Sequence, residues 1–266
     1  MPRIRAAYTI GLALAALLLL IGPPASRAQE NQAARLSGLL EKAAAYCQRL
    51  ENAALDFVCL EDVTETSRNL SPHTDVYLYD YQFVRKGGAA RERRNLLALN
   101  GKKADDKDAP LHTAFFQYKN VLFGPIGLLG RIWRPFFVYR WAGEETILGE
   151  KAVIVEVKPG PDLAQPHPYG RVWIAEGDGS VLKIVWDQAS LGNFKTVDEW
   201  AKENGAEPQI NSFSEYGIAK NGLRFPSRSF TDQGYRRKDG GSFSSATITV
   251  MYREYRFFTV ETETVY

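Results

Sequence analysis

The stretch Val76–Arg85, reading VYLYDYQFVR, sets Tyr77, Tyr79, Tyr81 and Phe83 at every second position. Side chains two apart share one face of a strand, whereas on a helix they would scatter around the axis. The chain must therefore build a sheet whose aromatic face needs a cover. The same period recurs almost to the C-terminus, and it predicts strands at 57–66, 76–85, 91–99, 136–147, 151–158, 170–176, 180–187, 209–219, 223–233 and 243–260. Glycine-containing turns separate them: Gly87-Gly88, Asn100-Gly101, Glu176-Gly177-Asp178-Gly179, Asn221-Gly222 and Asp239-Gly240-Gly241. Residues 102–109 read as a polar loop, and Glu144-Glu145, after Gly143, as a turn. Val172 and Ile174 are expected to share a continuous apolar face with Leu182, Ile184 and Trp186. The fold class is mainly β (α+β), with an antiparallel sheet of about ten strands.

Helical periodicity is confined to a few segments. Leu36, Leu40, Ala43, Cys47, Leu50 and Ala54 predict an amphipathic helix over 31–54 with Cys47 facing inward. Leu111, Phe115, Tyr118 and Leu122 predict another over 111–122, opened by Asp108 and Pro110. Thr196-Val197-Asp198-Glu199 reads as a capping box opening a short inserted helix that ends at Asn204-Gly205. The cysteines are Cys47 and Cys59. At about 1.5 Å per helical residue, Cys47 lies about 10 Å before the helix end. Cys59 lies about 13–16 Å into the following strand. A reversal near Asp56 would bring them together, so a Cys47–Cys59 disulfide is expected, the alternative being two buried thiols. Such a staple would contribute about 3 kcal/mol.

Residues 1–28 have the pattern of an export signal. Arg3 and Arg5 precede an uncharged run from Ala6 to Gly22, Pro23-Pro24 breaks it, and Ser26-Arg27-Ala28 supplies small residues before a cut at Ala28/Gln29. An uncleaved amino-terminal anchor is the alternative. The remaining 29–266 read as one domain in the periplasm, with secretion as the second choice. Removing Arg3, Arg5 and Arg27 lowers Lys plus Arg from 33 to 30 against 31 acids, so the mature chain carries about −1. That balance argues against nucleic acid, which demands clustered surplus cations. The basic runs Arg91–Arg94 and Arg236-Arg237-Lys238 read as solvated loops or as contacts for anionic headgroups. Membrane contact is peripheral at most.

Catalytic patterns are missing. His73, His112 and His167 lie in or beside loops, and none forms an HxxxH or HxH pair. Neither a GxSxG elbow nor nucleotide-type glycine spacing occurs. Asp105, Asp106 and Asp108 lack the ligand spacing of a calcium loop and sit among lysines. No catalytic residue, cofactor or metal is expected, and the chain is read as a non-enzyme.

Gly170-Arg171-Val172-Trp173-Ile174 followed by Asp178-Gly179-Ser180-Val181-Leu182-Lys183-Ile184 resembles a recurring hairpin of the outer-membrane lipoprotein-sorting family, the LolA/LolB-like periplasmic carriers. Ser214-Glu215-Tyr216-Gly217, Asn221-Gly222-Leu223-Arg224-Phe225-Pro226 and Tyr252-Arg253-Glu254-Tyr255-Arg256-Phe257 resemble its closing strands. The resemblance covers roughly 136–260. It implies a curved sheet forming an incomplete β-barrel, with helices covering the open mouth and a concave apolar face for a lipid, a lipoprotein acyl chain or another amphiphile. On that fold the cavity-facing helix would present Phe115, Phe116, Leu122, Phe123, Ile126, Leu128 and Leu129, either as a movable lid hinged at Gly124, Gly127 and Gly130 or as a plug of ordinary core. The function implied is that of a carrier or chaperone for a hydrophobic or lipidated ligand. The alternative is a non-enzymatic envelope sensor or interaction module that binds a partner protein with the same half-barrel.

Overall fold

A computed structural model describes residues 24–258 except 54–56, 69–70, 87–88 and 115–120. The apolar run of the expected export signal, residues 6–22, lies outside them. The chain divides into two compact units, Met1–Gly38 and Leu39–Tyr266. Over its described residues the first holds only the opening turns of α1 (Pro24–Ala53). The expected cut at Ala28/Gln29 falls within that helix. Everything below concerns the second unit.

The strands are β1 (Phe57–Ser67), β2 (His73–Lys86), β3 (Ala89–Leu99), β4 (Lys102–Asp106), β5 (Phe137–Ile147), β6 (Glu150–Pro159), β7 (Gly170–Ala175), β8 (Val181–Trp186), β9 (Ala206–Glu215), β10 (Ile218–Lys220), β11 (Leu223–Phe225), β12 (Arg228–Arg237) and β13 (Ser242–Phe257). Two short helices join them, α2 (Gly124–Leu129) and α3 (Phe194–Glu203). Eleven strands form one antiparallel sheet in the order β4-β3-β2-β1-β13-β12-β9-β8-β7-β6-β5, and β10-β11 pair separately. The sheet is curved and does not close: an incomplete barrel carrying helices. Two meanders meet where the first strand pairs with the last, Glu61 opposite Tyr252 and Val63 opposite Val250. The free edges are β4 and β5, which are consecutive in the chain. The connection between them, residues 107–136, must therefore travel from one edge of the sheet to the other.

The alternation does what the sequence reading expects. In β1 every second residue from Phe57 to Ser67 is buried, and Tyr77, Tyr79 and Tyr81 stand beside that row. At the opposite end Val153, Val155, Val157, Val172, Ile174 and Ile184 are fully buried. Within this unit the remainder of α1 buries Leu39, Leu40, Ala43, Ala44, Tyr46, Cys47 and Leu50. The Tyr46 hydroxyl meets the Arg224 backbone in β11, and Lys42 Nζ donates to the Glu176 carbonyl in the β7–β8 turn. On the outer face, Lys183 stands over the rings of Trp173 and Phe213, and Arg228 over Phe213 and Phe230.

Several expectations are corrected. Residues 102–106 form a strand, not a loop. Asn100 and Gly101 both take positive φ, 50° and 75°, a primed turn that returns the chain along β3. Glu144 and Glu145 lie inside β5, whose irregularity sits just before them between Trp141 and Gly143. The predicted strands at 209–219 and 223–233 are each split. Pro226, which has no N–H to donate to a ladder, ends β11, and Gly217 and Ser227 cross-link the break through a hydrogen bond. A bulge between Trp173 and Ile174 moves Leu182 away from Val172, so it packs with Trp173, Ala152 and Ala175. α3 begins earlier than the expected capping box, and its N-cap is Asn193. Residues 111–114 are not helical; the α-helix comes at 124–129, where Pro125 fixes the φ of a first-turn residue.

The disulfide is overturned, because both cysteines are free and buried. The Cys47 thiol donates to the Pro125 carbonyl of α2 at 3.4 Å, whereas Cys59 sits on β1 beside Tyr255. The Cys47 face of α1 meets α2, so the two sulfurs have different partners. Burial pushes the Cys47 thiol up to about 12 and raises Cys59 as well. A maleimide mass-shift assay should therefore find almost no labelling of the folded protein. After unfolding in guanidinium without reductant, it should find two adducts per chain; none would restore the bridge.

Candidate functional site

On either side of the undescribed 115–120, the connection from β4 to β5 lies on the inner face of the sheet, held mostly by side chains. At its start the Ala109 amide donates to the Arg94 carbonyl at 2.8 Å. The His112 amide donates to the Tyr79 hydroxyl at 3.3 Å, the Tyr77 hydroxyl donates to the His112 carbonyl at 3.4 Å, and the two rings of Tyr77 and His112 stack. The Ala114 amide donates to Glu65 Oε2 at 2.9 Å. Beyond the undescribed 115–120, the strap re-enters as a 3-10 turn at 121–123 and continues into α2.

Here four donors converge on four backbone carbonyls. Tyr216 Oη donates to Val121 at 2.8 Å, Cys47 Sγ to Pro125, His167 Nε2 to Gly127 at 2.9 Å, and Tyr139 Oη to Leu128 at 2.6 Å. A short helix leaves its last carbonyls without intrahelical partners, and a segment laid across a sheet cannot reach the ladder. The side chains supply what the backbone cannot. Among the described residues, no backbone–backbone hydrogen bond ties 121–130 to a strand. Gly124 allows the contact to be close: a Cβ there would lie 2.7 Å from the Tyr216 hydroxyl and 3.2 Å from Ile184 and Trp186. Burial raises Tyr216 well above the ordinary tyrosine value, so it stays a donor.

Of the seven residues expected to face a cavity, Leu122, Leu128 and Leu129 are almost wholly buried, at 1%, 1% and 0% exposure. Phe123 and Ile126 are half-buried. Phe115 and Phe116 lie outside the described residues.

The inner face beneath the strap has three zones. At the β5–β8 end it is aliphatic. In the middle, on β9 and β12, lie four short hydroxylic side chains, Ser212, Ser214, Ser229 and Thr231, all buried, with Ile210 beyond them on β9 and Ile248 and Val250 beside them on β13. Ser212 and Thr231 share a hydrogen bond of 2.8 Å, and Trp186 Nε1 donates to Ser214 Oγ at 3.2 Å. At the β1–β3 end lies a charged cluster. Arg94 donates from Nε and Nη2 to both oxygens of Glu61, at 2.6 and 3.1 Å, and from Nη1 to Glu92 at 3.2 Å. The Tyr81 hydroxyl donates to Glu92 at 2.9 Å, and the Arg94 guanidinium lies 4.8 Å from the Tyr81 ring centre. Glu61 is fully enclosed; burial raises its carboxyl above the ordinary value, and the Arg94 guanidinium opposes that rise.

This cluster was missed in the sequence, where Arg94 was grouped with a solvated basic run. The signal was present nonetheless. Phe57, Cys59 and Val63 set the inward parity of β1, and Glu61 and Glu65 share it; two acids on a buried face require partners. The histidines are not brought together. His73 bonds the Ser71 carbonyl, His112 stacks on Tyr77, and His167 packs between Trp133 and Phe137, with ring centres 4.5 and 5.4 Å away. Among the described residues no group of three or more His, Cys, Asp or Glu is placed to hold a metal, and no helix is long and apolar enough to cross a membrane.

No family model and no curated protein matches the chain. Among solved structures it is similar to a LolA superfamily protein from Nitrosomonas europaea, with 13% identity over 85% of this chain and 94% of that one and a TM-score of 0.37. It is similar to an outer membrane lipoprotein-sorting protein domain from Vibrio parahaemolyticus, with 10% identity, 84% and 95% coverage and a TM-score of 0.45. The MucA/MucB complex of Pseudomonas aeruginosa matches with 14% identity, 82% and 99% coverage and a TM-score of 0.24. These identities and scores do not by themselves assign the chain to a family or give it a function.

Removing one strap donor leaves a buried carbonyl unpaired, which costs about 1–3 kcal/mol. Tyr216→Phe should lower unfolding stability by about that amount in a denaturant titration while leaving the far-ultraviolet circular dichroism unchanged. His167 supplies a pH dependence. Burial lowers it from its ordinary 6.5, so the unfolded chain binds the proton more readily than the folded one. Stability is then complete above about 6.5 and falls as the pH drops below it. The loss of melting temperature between pH 7.5 and pH 5.5 should be smaller in His167→Gln than in the parent protein.

Proposed function

We propose that this chain is an exported envelope protein, working in the periplasm, that encloses an acyl-bearing amphiphile between the inner face of its sheet and the strap, as a carrier or chaperone. The observation that carries this reading is the floor of short side chains. Ser212, Ser214, Ser229 and Thr231 lie between the aliphatic end of the sheet and β13, whose Ile248 and Val250 lead on to the tyrosines and paired charges of β1–β3. An amphiphile has the same polarity along its length. Its chain would lie toward Val155, Val172 and Ile184, each buried CH₂ contributing about 0.8 kcal/mol, and its head toward Tyr77, Tyr81 and the Arg94 cluster. Leu122, Phe123, Ile126, Leu128 and Leu129 would form the movable wall, with Phe115 and Phe116 completing it. Because side-chain donors hold 121–130, the wall can leave without dismantling a ladder. Residues 1–28, with their signal pattern, support export.

A second reading, an envelope interaction module, is favoured by β5. It is an edge strand, and its outward-facing Val138 is 59% exposed. Such an edge can accept an extended segment of another protein.

Filling the floor separates the two. The paired substitutions Ser214→Leu and Ser229→Leu should abolish binding of N-phenyl-1-naphthylamine, read as loss of its fluorescence enhancement, while circular dichroism is preserved. Undiminished probe binding by the folded double variant would refute the enclosed site. Capture of a membrane protein from native envelope that survives the floor substitutions, but is lost when Val138 is replaced by Lys, would support the second reading.

A further inference from the structure

We infer a second ligand site outside the trough, in a cleft of about 490 Å³ between the C-terminal half of α3 and the β12–β13 hairpin, with the chemistry to bind an acidic saccharide. It is independent of the enclosed site, and its failure would leave that reading untouched.

The cleft is built on stacked aromatic rings. α3 packs Val197 and Ala201 onto Ile210 and Tyr235. This sets the Trp200 ring 4.3 Å from the Tyr235 ring, which in turn lies 5.3 Å from Phe243. The middle ring is buried, but the outer two remain 44% and 38% exposed at the cleft. Two partly open aromatic faces lining one concave surface offer a ligand apolar stacking area. The polar groups converge on the same place. The Asn204 amide nitrogen donates to the Trp200 carbonyl at 2.8 Å, which fixes the carboxamide at the cleft with its second N–H and its Oδ1 still to be used. Asp239 accepts from the Gly241 amide at 3.0 Å, closing the turn that presents Arg237 and Lys238. The Arg237 guanidinium lies 5.7 Å from the Phe243 ring centre, while Lys238 makes no hydrogen bond or ion pair with the described residues. The neighbouring Arg236 is already paired with Glu207.

A pyranose fits this combination. One face of the ring is a patch of C–H groups that stacks on Trp200 or Phe243, and its rim of hydroxyls needs acceptors and donors such as Asn204 Oδ1. An acid on the sugar satisfies Lys238. The volume falls within the roughly 300–1,000 Å³ of small-molecule sites. A nucleic acid is a poor fit, because one free lysine beside one stacked arginine is far short of a phosphate track.

The test uses the full chain, titrated calorimetrically with a galacturonic acid tetramer and with the neutral galactose tetramer as control. Binding of the acidic oligomer at least tenfold tighter than the neutral one, weakened by salt, is expected. Lys238 is exposed, so Lys238→Gln should leave the melting temperature unchanged yet lower affinity for the acidic oligomer about tenfold. Trp200→Ala should abolish it, and Phe243→Ser, which leaves α3 packing intact, should weaken it. No binding by the parent protein, equal binding of both oligomers, or binding insensitive to Lys238→Gln and Phe243→Ser would overturn the site.

Discussion

The two edge strands of the sheet are neighbours in sequence, and much of the architecture follows from that. β4 ends at Asp106 and β5 begins at Phe137, on opposite margins of an eleven-stranded sheet. Adjacent strands lie about 4.8 Å apart, so a flat sheet of this width would separate its edges by about 48 Å. Curvature shortens that path across the inner side, and the connection runs along it. A chain on the face of a sheet cannot join the ladder, yet its buried amides and carbonyls must still be paired. Tyrosine answers the need, since its hydroxyl sits at the end of a rigid apolar body that can project from a strand and still reach the strap. Tyr77, Tyr79 and Tyr139 do this from strands on both flanks, and Tyr216 from the residue just after β9. The alternating tyrosines are therefore both wall and fastening.

The charged cluster at the β1–β3 end follows a different logic. Removing either partner of a buried ion pair is expensive, whereas the intact pair contributes little net stability over apolar packing. The Glu61–Arg94 pair is thus better understood as fixing geometry than as strengthening the fold. Arg94 connects β3 to β1 across the intervening Tyr79 and Tyr81 of β2, and its own carbonyl receives the Ala109 amide. With Asn95, whose Oδ1 accepts the Asp108 amide, it holds the point where the strap leaves the edge.

Strands were legible because alternation is a local property. The tyrosines of β2 and the valines of β6 each declare their face within a few residues. What stayed hidden depends on distant partners. The strap failed the helical reading at 111–114 because Tyr77, Tyr79 and Glu65 claim the backbone groups that a helix would use internally, and no local pattern reveals that competition. Cys47 and Cys59 looked joinable from chain lengths alone; the obstacle is α2, which occupies the Cys47 side of α1 through Pro125, 78 positions away. Leu182 changed faces through a bulge, a shift of one residue that reverses every parity argument downstream of it. The Asn100-Gly101 signal, by contrast, was read correctly as a hairpin but not followed to its consequence, the strand β4.

The same reasoning explains why α3 belongs to the closure of the trough. Ile210, Ser212 and Ser214 alternate along β9 on the inner side, and α3 rests on the first of these. Short side chains on the floor lower it locally, so something must terminate the depression at its end. Val197 and Ala201 provide that wall, and Trp200, one position from Ala201, is then forced outward onto Tyr235. The covered side of Trp200 contributes packing on Tyr235, while the rest of its ring stays open at the cleft. What makes the open ring notable is its company: Phe243 is exposed across the same cleft, and Arg237 and Lys238 line it, so a ligand stacked there would meet apolar and cationic groups together.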